Sequence, residues 1–148
     1  MIVRTTDEIT GTERDVTSED GNWRSKRIVL GGDRVGFSFH ETVIRAGTVN
    51  EFQYANHVEA VWLTEGSGTL TDRETGEQYP LAPGTMYLLN GHERHTVQAH
   101  TQLRMLCVFT PRSPAARCTT STASTRSSPS TDRPLPAFSG LNVVSRRV

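Results

Sequence analysis

The stretch GTVNEFQYANHVEAVWLTEG, residues 47–66, decides the fold. Phe52 and Tyr54 alternate with Gln53, and residues 59–65 make a strongly apolar strand around Ala60, Val61, Trp62 and Leu63. Ala46-Gly47-Thr48 turns the chain before this stretch, and Glu65-Gly66-Ser67-Gly68 turns it after. Short apolar runs bounded by glycine turns predict strands. The stretch is answered by a second one, GEQYPLAPGTMYLLNGHERH, residues 76–95. There, strands are predicted over 79–81 and 85–89, around a turn at Pro83-Gly84.

The flanks continue the pattern. Residues 1–4 are a short apolar opening, expected as an edge strand that could meet a partner. Residues 5–21 are polar and acidic, a turn or a short helix. GNWRSKR, residues 21–27, sets one aromatic among cations. Ile28-Val29-Leu30 then reads as a strand and Gly31-Gly32-Asp33 as a turn. Phe37 and Phe39 alternate with Ser38 and His40 in a half-buried strand that continues over 41–44. Beyond the second stretch, 96–99 and 103–109 close the set. Many short strands with glycine turns and hardly any helical period indicate an all-β fold, a closed barrel or a jelly roll.

The chain has 148 residues, which suits one domain. Sixteen basic residues balance sixteen acidic ones, so net charge implies no partner. The balance joins two unlike parts. Residues 112–148 hold six Arg, one acidic residue (Asp132) and thirteen Ser or Thr. With few large apolar side chains they form a poor core and are expected to be a disordered tail. The division is therefore 1–111 and 112–148. A nucleic-acid-binding arm is the competing reading of the tail, but its cations have no regular spacing and no interleaved aromatics. Cys107 and Cys118 show no pairing pattern. MIVRTTDE is not a signal peptide, and no apolar run approaches the ~18 residues of a membrane span. A reducing cytoplasm is the expected location.

Together the two stretches resemble the paired motifs of the cupins. Gly47, Glu59 and Gly66 keep the spacing of the first motif, while Gln53 and Ala55 replace its two histidines. In the second, Tyr87 falls where the metal-binding His is usual. The expected fold is a cupin-type β-barrel whose metal site has been rewritten. Glu59, Tyr87 and His95 are the candidate ligands. Singly, a strand Tyr is ordinary core with its hydroxyl satisfied, and a His after a turn is a hydrogen-bonding residue. Their shared register in the two motifs sets them apart. An O,O,N set suits iron(II) better than a soft-ligand metal, though zinc, manganese and cobalt are also admitted.

A narrower resemblance rests on MIVRTTDEITGTERDV, GNWRSKR, GFSFHET, NHVEAVW, PGTMYLLNGHERH and LRMLCVFTP. In order, over about residues 1–111, they are similar to the ectoine synthase family. The resemblance implies ring closure of N-γ-acetyl-L-2,4-diaminobutyrate to ectoine with loss of water. It also implies an iron-dependent cupin that forms a head-to-tail homodimer in the bacterial cytoplasm and makes a compatible solute under osmotic stress. Glu59, Tyr87 and His95 match the family's iron ligands. Trp23, Arg27, Thr42, Tyr54, His57, Cys107 and Phe109 match positions that line its substrate pocket, and His40 falls at a further such position, where relatives often carry Asn. The chemistry suits these residues. A metal can polarise the amide carbonyl that the amine attacks. Tyr54 and His57 are suited to acid–base work, and Arg27 to holding a carboxylate. Taken alone, Trp23 reads as core and Arg27 as a solvated cation.

Past CVFTP the family continues with a segment similar to PLTGREVHDE, whose Glu and His line the site. This chain reads RSPAARCTT instead. With Arg112 to Thr120 encoded as CGC TCA CCG GCC GCG AGG TGC ACG ACG, the neighbouring frame spells LTGREVHD. The tail therefore reads as the product of one lost base near Pro111. The family's Glu falls near Arg117 and its His near Thr119, and neither replacement can do the same work. Two rivals remain at this point. One is an impaired cupin that binds a small solute without turnover. The other is a general metal-dependent cupin enzyme, which the loss of His-x-His argues against.

Overall fold

The computed structural model describes residues 1–54 and 56–111. Ala55, Arg117, Thr119 and the whole 112–148 tail lie outside the described residues. Among the described residues ten strands form two antiparallel sheets, as a jelly roll requires. The six-stranded sheet has the order β1-β2-β3-β10-β5-β8. It contains β1 (Asp15–Thr17), β2 (Trp23–Val29), β3 (Ser38–Ile44), β10 (Leu103–Pro111), β5 (His57–Glu65) and β8 (Met86–Leu89). The four-stranded sheet has the order β4-β9-β6-β7. Its members are β4 (Val49–Phe52), β9 (His95–Ala99), β6 (Gly68–Asp72) and β7 (Gln78–Leu81).

Period-two alternation places the core between the sheets. On β5, Glu59, Val61 and Leu63 are buried while Trp62 is exposed. On β10, Leu103, Met105, Cys107 and Phe109 face inward. Aromatic contacts bind the sheets together. Trp23 of β2 meets Phe52 of β4 edge to face at 6.5 Å between ring centres, and Tyr87 of β8 meets His95 of β9 at 6.2 Å. The glycine that closes the first motif is sterically required. Gly66 has φ +93°, and a Cβ there would lie 2.0 Å from the carbonyl oxygen of Gln102.

Three local expectations are revised. Residues 1–4 are not a strand. Arg4 instead forks onto Asp33 at 2.9 and 2.6 Å and donates to the Ile28 carbonyl at 2.9 Å, so a side chain ties down this segment. The polar 5–21 region resolves into a helical turn, α1 (Thr6–Ile9), and β1. A reciprocal cap starts α1: the Glu8 N–H donates to Thr5 Oγ1 and the Thr5 N–H to the Glu8 carboxylate. The strand expected over 28–30 begins five residues earlier, at Trp23, and Leu30 is not in it. Across the turn, Phe37 is 41% exposed, and His40 and Ile44 are the buried members of β3.

Candidate active site

One cavity opens between the sheets, and β2 and β3 supply most of one wall. Trp23, Ser25 and Arg27 share the inward parity of β2, and His40, Thr42 and Ile44 that of β3. The register pairs them directly: Trp23 with Ile44, Ser25 with Thr42, Arg27 with His40. β10 adds Met105, Cys107 and Phe109, and β5 adds Glu59. Tyr87, His95, Phe52 and Tyr54 complete the lining. Ten of the eleven expected site residues thus reach one space. His57, at the start of β5, is not among the lining side chains; its ring meets Phe109 edge to face at 6.5 Å. Ser25, Ile44, Phe52 and Met105 line the cavity unforeseen. Their inward parity on strands already carrying expected site residues is the signal that could have found them.

The expected O,O,N set converges at the cavity. Glu59 and Tyr87 lie on paired strands, with Glu59 opposite Leu89 and Tyr87 opposite Val61, so they are diagonal neighbours on one face. His95 faces Tyr87 from the other sheet. Its Nδ1 lies 3.3 Å from the Glu93 carbonyl oxygen, which can only accept. Nδ1 therefore carries the proton and Nε2 keeps its lone pair, the arrangement of a metal-binding imidazole. Burial, against the raising effect of Glu93, lowers the His95 pKa and favours the neutral ring. Glu59 is 4% exposed, and burial raises its carboxyl to about 8 despite a lowering hydrogen bond with Cys107. No ion pair among the described residues reaches it. A bound cation would reverse that cost. Among the described residues no three His, Cys, Asp or Glu side chains cluster to hold a metal. A metal here depends on the Tyr87 oxygen, and with it the donor set fits a divalent ion.

The remaining polar groups form a run along the wall. The Cys107 thiol lies 3.8 Å from Thr42 Oγ1, Thr42 donates to Ser25 Oγ at 3.1 Å, and Ser25 Oγ lies 3.5 Å from His40 Nδ1. Burial, then Arg27 and His57, push His40 down to about 4, so its ring is neutral near pH 7. Tyr54 and Tyr87 are raised well above their usual value, first by burial and then by Glu59 and Cys107, which favours the protonated phenols. Burial also lowers His57. Three cavity residues carry buried polar atoms with no partner among the described residues: Trp23 Nε1, Arg27 Nε and His40 Nε2. A native interior rarely leaves such atoms unpaired unless a ligand meets them.

A two-sheet barrel with inward donors at one end of its cavity defines a cupin. A RmlC-like cupin from Shewanella frigidimarina shares the fold, with TM-score 0.56 at 13% identity over 71% of this chain and 90% of that one. The chain belongs to the ectoine synthase family, whose sequence model matches residues 1–118. It is 77% identical over 111 residues to L-ectoine synthase of Rhodococcus erythropolis, covering 75% of this chain and 84% of the relative. The crystal structure of ectoine synthase from P. lautus superposes with TM-score 0.71 at 46% identity, over 75% of this chain and 78% of that one. The chain is accordingly an enzyme of the lyase type. These likenesses do not favour the solute-binding rival.

Proposed function

We propose that the chain closes N-γ-acetyl-L-2,4-diaminobutyrate to ectoine, with iron(II) as its metal. The observation that carries this reading is the convergence of Glu59, Tyr87 and His95 with Arg27 and Tyr54 on one cavity of a family member. Glu59, Tyr87 and His95 would hold the metal, which supplies Lewis-acid polarisation of the amide oxygen. The 2-amino nitrogen attacks the acetamide carbonyl carbon, forming the ring C–N bond and a carbinol. The carbinol C–OH bond then breaks, and the oxygen leaves as water. In the first step the amine nitrogen gives up one proton and the carbonyl oxygen takes one to become the carbinol; in the second a ring nitrogen gives up another as the C=N bond forms and the departing oxygen takes one, so the reaction balances at one water lost.

Arg27 holds the substrate carboxylate by charge and by its N–H groups. The Tyr54 O–H, kept protonated by burial, donates to the departing oxygen. The neutral His57 imidazole takes the amine proton, and because it is not on the cavity wall that transfer passes through an intervening group or water. The apolar lining excludes bulk water, which favours dehydration.

A homodimer is part of the proposal. Trp62 and Met86 pair on the outer face of β5 and β8 beside Leu88, and all three are roughly half exposed. An apolar patch of this kind suits a second copy. A cytoplasmic setting agrees with the absence, among the described residues, of any helix long and apolar enough to cross a membrane. The deciding experiment is ectoine formation from the acetylated diamino acid by the purified chain with iron(II). Loss of product on chelation and its return with iron support the assignment; no product under conditions that serve the Rhodococcus relative overturns it. A second protein with the tail frame restored runs alongside. Sequencing the gene tests the lost base, and codons incompatible with LTGREVHD in the neighbouring frame overturn it.

A further inference from the structure

Two buried side-chain nitrogens on neighbouring strands have no partner among the described residues. Arg27 and His40 stand opposite one another in the β2–β3 ladder, and both line the cavity. Arg27 Nε and His40 Nε2 have no partner among the described residues, and His40 is 2% exposed. Leaving such atoms unpaired is unfavourable unless a ligand completes them.

The other side of the His40 ring is already committed. Ser25 Oγ accepts the Thr42 hydroxyl at 3.1 Å and lies 3.5 Å from His40 Nδ1. A serine that accepts on one side keeps its own proton to donate on the other. The group it meets is Nδ1, which then holds a lone pair. In a neutral ring the proton must therefore sit on Nε2. A second positive charge directly opposite a half-buried guanidinium is unfavourable, and burial with Arg27 and His57 lowers the ring's pKa in agreement.

We infer that His40 is a neutral hydrogen-bond donor, its tautomer fixed by Ser25, that joins Arg27 in clamping one carboxylate of the ligand. Arg27 supplies the charge. His40 adds a second donor from the adjacent strand without adding charge, and two donors on different strands fix the rotation of the acid group. That rotation aims the neighbouring amine at the carbonyl. Ser25 is a positioning residue acting through His40. The identity of the ligand rests on the function proposed above; the state of the ring does not.

The test has two arms. In the ligand-free protein labelled with ¹⁵N-histidine, a two-bond nitrogen–proton spectrum at pH 7 reads the tautomer directly, with His40→Phe assigning the signal. A neutral Nε2–H ring that becomes a tautomer mixture in Ser25→Ala, and recovers in Ser25→Thr, supports the inference. A ring carrying Nδ1–H, or a charged ring, overturns it. In the kinetic arm, His40→Phe raises KM by about 10- to 100-fold, the loss expected for a hydrogen bond to a charged group. His40→Asn, which keeps an N–H donor, recovers most of the loss. An unchanged KM in His40→Phe overturns the clamp even where the tautomer is as stated. If the wild type makes no ectoine, the proposed function fails by itself. The clamp is then read from the Nε2 proton shift on adding ectoine, where no shift overturns it.

Discussion

The two ends of the barrel are built from the same strands and carry opposite chemistry. β5 runs inward as Glu59, Val61, Leu63; β3 as His40, Thr42, Ile44; β9 as His95, Val97, Ala99. β10, antiparallel to β3 and β5, runs Leu103, Met105, Cys107. One end is apolar, and Ile44, Leu63, Ala99 and Leu103 there are 1% exposed or less. The other end buries His40, Glu59 and His95 nearly as deeply. Burial of aliphatic side chains stabilises the fold at the first end. Burial of titratable groups at the second is unfavourable, and the raised Glu59 and lowered His40 pKa values register that cost. One end holds the sheets together so that the other can hold unsatisfied groups ready for a ligand.

The largest expected effect separates the ends most cleanly. Glu59→Gln keeps the volume and removes the charge. Ectoine formation should fall roughly a thousandfold or more, because the polarisation lost with the metal is worth several kcal/mol. The melting temperature of the metal-free protein should hold or rise, since a buried carboxyl has gone. Iron content after reconstitution should drop as well. Retained activity, or a large loss of stability, breaks the comparison.

The mirror experiment is Leu63→Ala at the apolar end. The side chain is 1% exposed, and its truncation should destabilise by about 2–5 kcal/mol in urea unfolding. The folded protein should keep a near-normal kcat/KM. A collapse of kcat/KM with stability intact would show that the two ends are not separable.

A smaller effect probes the wall between them. Arg27→Lys keeps the charge and loses the planar fork. KM should rise by roughly tenfold, on the order of one charge-assisted hydrogen bond. Thermal stability should change little, because Arg27 Nε has no partner to lose among the described residues.

The same contrast explains what the sequence made legible. β5, β8 and β10 were readable because their apolar alternation and glycine turns are the ordinary signals of strands. The start of β2 was not, because its inward residues are Trp23, Ser25 and Arg27, whose parity serves a cavity rather than an apolar core. For the same reason Phe37 and Phe39 drew attention at the start of β3, while the strand buries His40 and Ile44. Ser25 went unread as a site residue because a lone serine among cations carries no spacing signal; the β2–β3 register gives it meaning. Glu59, Tyr87 and His95 were found through motif spacing, which places residues on strand ends but does not show that three strands converge. Residues 1–4 misled because an apolar opening was weighed without Arg4, whose partner Asp33 lies far along the chain.

The smallest prediction lies outside the barrel and tests whether surface charge belongs to either end. Asp15 of β1 pairs with Arg24 of β2, Arg24 Nε donating to it at 2.6 Å, and it accepts the Gly11 N–H at 2.8 Å. The Arg24 hydrogen bond first, and the Gly11 N–H second, lower its pKa from 3.8 to about 2. A carboxyl depressed by folding contributes stability above its unfolded value and loses it as pH falls through its folded value. The contribution should be whole at pH 7 and fade between pH 3.8 and about 2. Asp15→Asn should lower the melting temperature slightly at pH 7, less so in high salt, where an exposed pair is screened. The gap between wild type and variant should close toward pH 2, and KM and kcat should not move. A gap that persists through pH 2 would mean that the Asn disturbs the β1–β2 edge by its shape. A change in KM would mean that the edge of the six-stranded sheet, not only its inner face, tunes the cavity.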